Sequence, residues 1–193
     1  MLMAATIIST VILVLLLVLA VTAVHLYNTL IARKNDVENM MGSIDAILKK
    51  RSDLIPNLVT VVQNYAVFER SLMEKLTALR AQSLRPDLGI DEKSELSMKI
   101  GGVLREFAMT VENYPELKAN ASFLHLQRTI AILEEELSAS RRVYNQSVTD
   151  YNDAREMFPS NLVAQWMKLE AKSVFRAQEN EKGLPDLKAL FAS

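Results

Sequence analysis

Few side chains in this 193-residue chain could do chemistry, and their spacing keeps them from acting together. There are two histidines, His25 and His125, and no cysteine. His125 is followed by Leu126-Gln127-Arg128, so it forms no zinc-binding pair at helical spacing. Without thiols the chain has neither thiolate catalysis nor a disulfide. A di-iron bundle would need two Glu-x-x-His motifs on facing helices, and the sequence has none. Glu134-Glu135-Glu136 is a carboxylate run, but on a helix these side chains point about 100° apart and cannot share one ion. Gly-rich phosphate loops, serine elbows and nucleotide fingerprints are absent from the sequence. The chain therefore reads as a non-enzyme, with no cofactor, metal or small-molecule substrate expected.

The informative polar residues lie on apolar stripes instead. Glu69 falls on the seam between Tyr65 and Leu72, and Arg141 on the seam between Leu137 and Tyr144. Buried charges are tolerated when paired, so the two are expected to belong to a structural polar core. The pairs Tyr144-Asn145 and Tyr151-Asn152 are a heptad apart on one helix face and join that set. A buried tyrosine ring with its hydroxyl bonded to amide groups is their expected role. Basic residues number 22 and acidic residues 23, for a net charge of −1 with the signs interspersed. That balance argues against a nucleic-acid partner.

The elements that must position these residues begin with an anchor. No charged side chain occurs before Arg33. A helix from Ala4 to Leu26 would be roughly 34 Å long, against a hydrocarbon core of about 30 Å, so residues 1–26 are expected to form a transmembrane anchor. A cleaved signal peptide would want a basic start and a shorter apolar run; Val21-Thr22-Ala23 would serve as a cleavage triplet, but the run is too long. Arg33, Lys34, Lys49, Lys50 and Arg51 all follow the span. The positive-inside rule then places the body in the cytoplasm, beneath a membrane crossed once.

Residues 27–160 are expected to form an antiparallel, up-and-down four-helix bundle, so that the fold class is all-α. Leu30, Val37, Met41, Ile44 and Leu48 carry the first stripe. Asp53 as N-cap and Pro56 in a first turn favour a hairpin at Arg51–Pro56 over the alternative, a kink in one very long helix. Leu58, Val62, Tyr65, Leu72, Leu76 and Leu79 mark the second helix, which Arg85-Pro86 should end. A third is predicted from about Asp91 to Asn113, and a fourth from about Pro115 to Met157. Residues 161–193 are read as a short amphipathic helix and a tail. There Trp166, Lys168, Lys172 and Arg176 are candidate lipid contacts at the bilayer surface. At the far end, Lys49, Lys50, Arg51, Leu54 and Ile55 combine basic and apolar groups in the predicted hairpin and are the candidate partner contact.

Several of these segments together resemble the bacterial LemA family. The likeness runs through Ile44-Asp45-Ala46-Ile47-Leu48 and the specific run Asp53-Leu54-Ile55-Pro56-Asn57-Leu58. It continues in Glu112-Asn113-Tyr114-Pro115-Glu116-Leu117, Arg141-Arg142-Val143-Tyr144-Asn145, Tyr151-Asn152 and Phe158-Pro159-Ser160-Asn161-Leu162. The resemblance implies an anchored helical bundle without established enzymatic activity. It also implies membrane-protein partners, with a membrane metalloprotease system among the candidates. Two departures stand out. The family usually carries a tryptophan just before the Ile-Asp pair, in the region where this chain has Asn39-Met40-Met41; Phe68 stands where it usually has a histidine before Glu69. The expected function is a membrane-anchored scaffold or adaptor. The alternative is a lipid-acting protein that remodels membranes or organises the envelope.

Overall fold

The computed structural model describes residues 2–63 and 69–175. Tyr65, Phe68, Arg176 and the rest of the expected tail lie outside the described residues. Those described form six helices and no strand: α1 (Leu2–Gln63), α2 (Arg70–Ser83), α3 (Ile90–Val111), α4 (Pro115–Lys118), α5 (Ala121–Glu156) and α6 (Ser160–Trp166). The fold is all-α. Contacts divide the described residues into two compact units, residues 2–40 with 145–173, and residues 41–63 and 69–144 with 174 and 175.

In the first unit, α1 begins as an apolar helix whose side chains from Met3 to Val24 are all exposed. Three of its polar interruptions are internally satisfied. The Thr6, Thr10 and Thr22 hydroxyls each donate to a backbone carbonyl one turn earlier, at 2.8 Å. An apolar solvent therefore meets these three hydroxyls with their protons already paired. Among the described residues this is the one helix long and apolar enough to cross a membrane. Beyond it, Leu30 and Val37 of α1 and Val148 and Tyr151 of α5 are buried. Arg33 and Asp150 pair at 3.3 Å.

The second unit has a continuous core. Ile55, Leu58 and Val62 of α1 join Leu72 and Leu76 of α2, Ile100, Val103 and Phe107 of α3, Leu117 of α4 and Phe123 of α5. The Phe107 and Phe123 rings stack at 6.4 Å. Each such fully buried side chain contributes roughly 1.5–3 kcal/mol, which is what the predicted stripes encode.

Two sequence expectations fail here, for local reasons. The hairpin at Arg51–Pro56 does not exist, because α1 runs through it with Pro56 inside the helix. Proline lacks the N–H that would bond the carbonyl four residues back, that of Ser52. In this fold Arg80 of α2 supplies the proton instead, its Nε donating to the Ser52 carbonyl at 3.0 Å. The Ser52 and Ser83 hydroxyls bond each other beside it, also at 3.0 Å. Asp53 is no N-cap; its carboxylate accepts from Lys49 at 3.2 Å, one turn back in the same helix. The predicted fourth helix also divides. The chain breaks after α4, and Asn120 caps α5 by accepting the Phe123 N–H on Oδ1 at 3.1 Å. An N-cap amide prefers that bond to a place inside a helix.

Candidate functional site

The polar centre of the second unit is built around one hydroxyl. Ser97 of α3 accepts on Oγ from Arg51 of α1 at 3.0 Å and from Arg141 of α5 at 2.7 Å. Arg51 Nη2 also donates to the Ser97 carbonyl at 3.0 Å, and its Nη1 reaches Glu134 of α5 at 2.6 Å. Arg51 is 1% exposed and Arg141 6%, whereas the Glu134 side chain keeps 37% of its surface. Arg51 Nε is buried without a hydrogen bond. Arg141 carries a further contact: its guanidinium carbon lies 5.1 Å from the centre of the Phe175 ring, and Tyr144 meets the same ring edge-on at 6.5 Å. A guanidinium over an aromatic face is attracted by the ring quadrupole, more strongly when both are out of water. Glu134 and Arg141 also line a shallow groove of about 390 Å³ formed by α3 and α5, with Gly101 and Ala131 in its wall.

Arg141 and Tyr144 thus occupy the interior, with Asn145 half-buried beside them. Glu69 does not. It is exposed, and it stands as the residue before α2, where its carbonyl accepts the Leu72 N–H at 3.2 Å and its side chain makes no cap bond. A carboxylate has no reason to leave water at a helix end that offers it no buried cation. Arg51 takes the interior role instead, and this removes it from the expected partner surface. Ile55 is removed for the same reason, at 1% exposure. Lys49 and Lys50 are exposed and Leu54 half-buried, so these three remain of that surface.

The signal for Arg51 was present in the spacing. Ile44, Leu48, Arg51, Ile55, Leu58 and Val62 follow one another at intervals of four, three, four, three and four. That is an unbroken heptad phase with a guanidinium in one core position.

In the first unit the Tyr151-Asn152 pair holds the backbone that follows α6. Tyr151 donates its hydroxyl proton to the Glu170 carbonyl at 2.9 Å. Asn152 Oδ1 accepts the Lys172 N–H while its Nδ2 donates to the Lys172 carbonyl, both at 3.0 Å. Arg155 Nε adds a bond to the Leu169 carbonyl at 3.1 Å. The segment is delivered to this clasp by a Schellman turn at the end of α6. Leu169 N–H bonds the Ala164 carbonyl, Lys168 N–H bonds that of Gln165, and Lys168 takes φ 52°. A residue with a Cβ is strained there, where glycine is usual. Burial pushes both the Tyr144 and the Tyr151 hydroxyls above the ordinary tyrosine range.

The candidate lipid contacts of this unit are placed as follows. Trp166 is 77% exposed, Lys168 is exposed, and Lys172 is half-buried with its ammonium 3.9 Å from Glu38. Arg176 lies outside the described residues. Leu162, Val163 and Trp166 of α6 face Ala23, Val24 and Tyr27 of α1 across an apolar groove. Among the described residues no group of three or more histidine, aspartate or glutamate side chains is placed to hold a metal ion.

A helical body, a polar interior of arginines shared between helices, and one helix of membrane-spanning length define a class of membrane-associated all-α proteins. The chain belongs to the LemA family, whose sequence pattern matches residues 40–188. It is 28% identical over 155 residues to Protein LemA of Metamycoplasma hominis, covering 80% of this chain and 71% of that one. It is 22% identical over 163 residues to the magnetosome protein MamQ of Magnetospirillum gryphiswaldense and to magnetosome protein MamQ 2 of Paramagnetospirillum magneticum. In both cases 72% of this chain is covered, and it spans 60% of the relative's length.

Proposed function

We propose that this chain is a non-enzymatic, membrane-anchored scaffold that presents a helical bundle to other membrane or envelope proteins. The observation that carries the reading is α1 itself. One helix supplies both a lipid-length apolar segment and the core residues Ile55, Leu58 and Val62 of the second unit. An up-and-down arrangement of α1, α2, α3 and α5 is supported by the pairings within that unit. Asp45 bonds Lys93 and Arg51 bonds Ser97, in parallel order along α1 and α3. Lys75 pairs with Glu106, setting the first half of α2 beside the last part of α3 as antiparallel neighbours require, and Arg51 pairs with Glu134 of α5. The guanidiniums are engaged inside the fold, which favours structure over catalysis. The body lies in the cytoplasm on this reading, since Arg33 and Lys34 follow the span directly. Partners are membrane proteins, with a metalloprotease system among the candidates.

Exposed Lys49 and Lys50, with half-buried Leu54, are the contact we assign to such partners. The test is photo-cross-linking in native membranes from a reactive residue placed at Lys50. Discrete protein neighbours, lost when Lys49 and Leu54 are changed to serine with helicity unchanged, are expected. Neighbours that are lipid alone, or that persist in the serine variant, would overturn the assignment.

A further inference from the structure

Ala23 and Val24 close the apolar run of α1, and Leu162, Val163 and Trp166 of α6 stand across from them. Together with Tyr27 they enclose a groove of about 580 Å³. Clefts that hold small ligands run from about 300 to 1,000 Å³. Its walls are apolar apart from the Tyr27 hydroxyl and the Trp166 indole N–H. Three of its wall residues, Val24, Leu162 and Trp166, keep more than half their surface uncovered.

The position of the groove along α1 says what meets it. From Ala4 to Tyr27 the helix rises about 35 Å, a little more than the hydrocarbon thickness of about 30 Å. The groove therefore opens at the level where acyl chains give way to headgroups. Tyr27 and Trp166, both apolar rings with a polar tip, are the residue types that settle at that level. Lys168, two residues past Trp166, is exposed.

We propose that this groove seats the upper part of an acyl chain from a bilayer phospholipid, making α6 a lipid-binding element beside the anchor. The occupant follows from continuity: Ala23 and Val24 belong to the same apolar surface that the leaflet must cover. This goes beyond the scaffold reading and does not depend on it.

Trp166 is the only tryptophan in the chain, so its fluorescence reports on the groove alone. The full chain is reconstituted into phosphatidylcholine vesicles carrying bromine either near the glycerol end or near the methyl end of the acyl chains. Strong quenching by the shallow bromine, weaker quenching by the deep one and little by aqueous acrylamide are expected. Filling the groove by Ala23→Phe should reduce the shallow quenching by about half while helicity is retained. Quenching by acrylamide instead of by brominated lipid would overturn the proposal. So would shielding from both, which is the result expected if a second copy or residues 176–193 fill the groove. Undiminished quenching in the Ala23→Phe chain would also overturn it, since the lipid would then lie outside the groove.

Discussion

Truncating Arg80 to alanine removes the donor that stands in for the amide proton Pro56 lacks. Ser52 is 3% exposed, so water does not replace the lost bond at its carbonyl. A buried acceptor left without a partner costs about 1–3 kcal/mol. The Arg80 stem also packs, and its loss adds a second cost that has nothing to do with Pro56. A double-mutant cycle separates the two. In a Pro56→Ala chain the new backbone N–H bonds the Ser52 carbonyl, so Arg80→Ala then forfeits only packing. The coupling between the positions should be about 1–2 kcal/mol. At a slope of about 2 kcal/mol per molar, the urea midpoint should fall about 0.5–1 M further in the Pro56 background. The assay is urea unfolding of the four full-length chains in mild detergent, followed by the helical circular dichroism signal. If the two effects add to within about 0.3–0.5 kcal/mol, Arg80 does not substitute for the missing proton, and the account of why α1 survives its proline fails.

Three further outcomes follow from the same geometry. Glu134→Gln removes the carboxylate facing buried Arg51 while leaving its shape, and should destabilise the fold by about 1–3 kcal/mol, less than for a fully buried pair because Glu134 meets water; an unchanged urea midpoint would show that the pair contributes nothing. Lys168→Gly should raise the thermal midpoint, gaining about 0.5–1 kcal/mol as the left-handed strain is relieved, with α6 unchanged by amide exchange. Stability should also fall at alkaline pH: burial raises the Tyr144 and Tyr151 hydroxyls above their unfolded value of about 10, so their contribution is complete below that pH and is lost as pH rises through the folded values. Tyr151→Phe should flatten that decline in a series of unfolding curves; a decline as steep as that of the unaltered chain would refute it.

The apolar pattern carried most of the fold, and punctuation misled where a tertiary partner intervened. The helices expected over 91–113 and 115–157 were legible because burial there follows helical spacing: Leu96, Ile100, Val103, Phe107 and Val111 of α3 are interior, as are Phe123, Leu126, Leu133, Leu137, Tyr144, Val148 and Tyr151 of α5, with Ile130 half-buried among them. At Arg51–Pro56 two local signals, a capping residue and a proline, outweighed a heptad phase that continued straight through. The deciding residue, Arg80, lies 24 positions further on in another helix, and no local rule finds it. Glu69 was placed by seam spacing, but spacing cannot say where a helix starts, and α2 starts one residue later. The Tyr-Asn repeat was visible as a face. That Tyr151 and Asn152 clasp backbone beyond α6 depends on a reversal at Lys168, whose conformation a lysine does not advertise.

Leucine seams have a weakness that the Ser97 oxygen removes. A heptad pattern looks much the same to its neighbours after sliding by one repeat, about 10.5 Å, so greasy stripes alone admit several alignments of nearly equal merit. A hydroxyl gripped from two sides at 3.0 and 2.7 Å exists at only one of them. Any slipped assembly would mesh its leucines and yet strand both guanidiniums in oil, so three helices can agree on a common zero only where their charges meet.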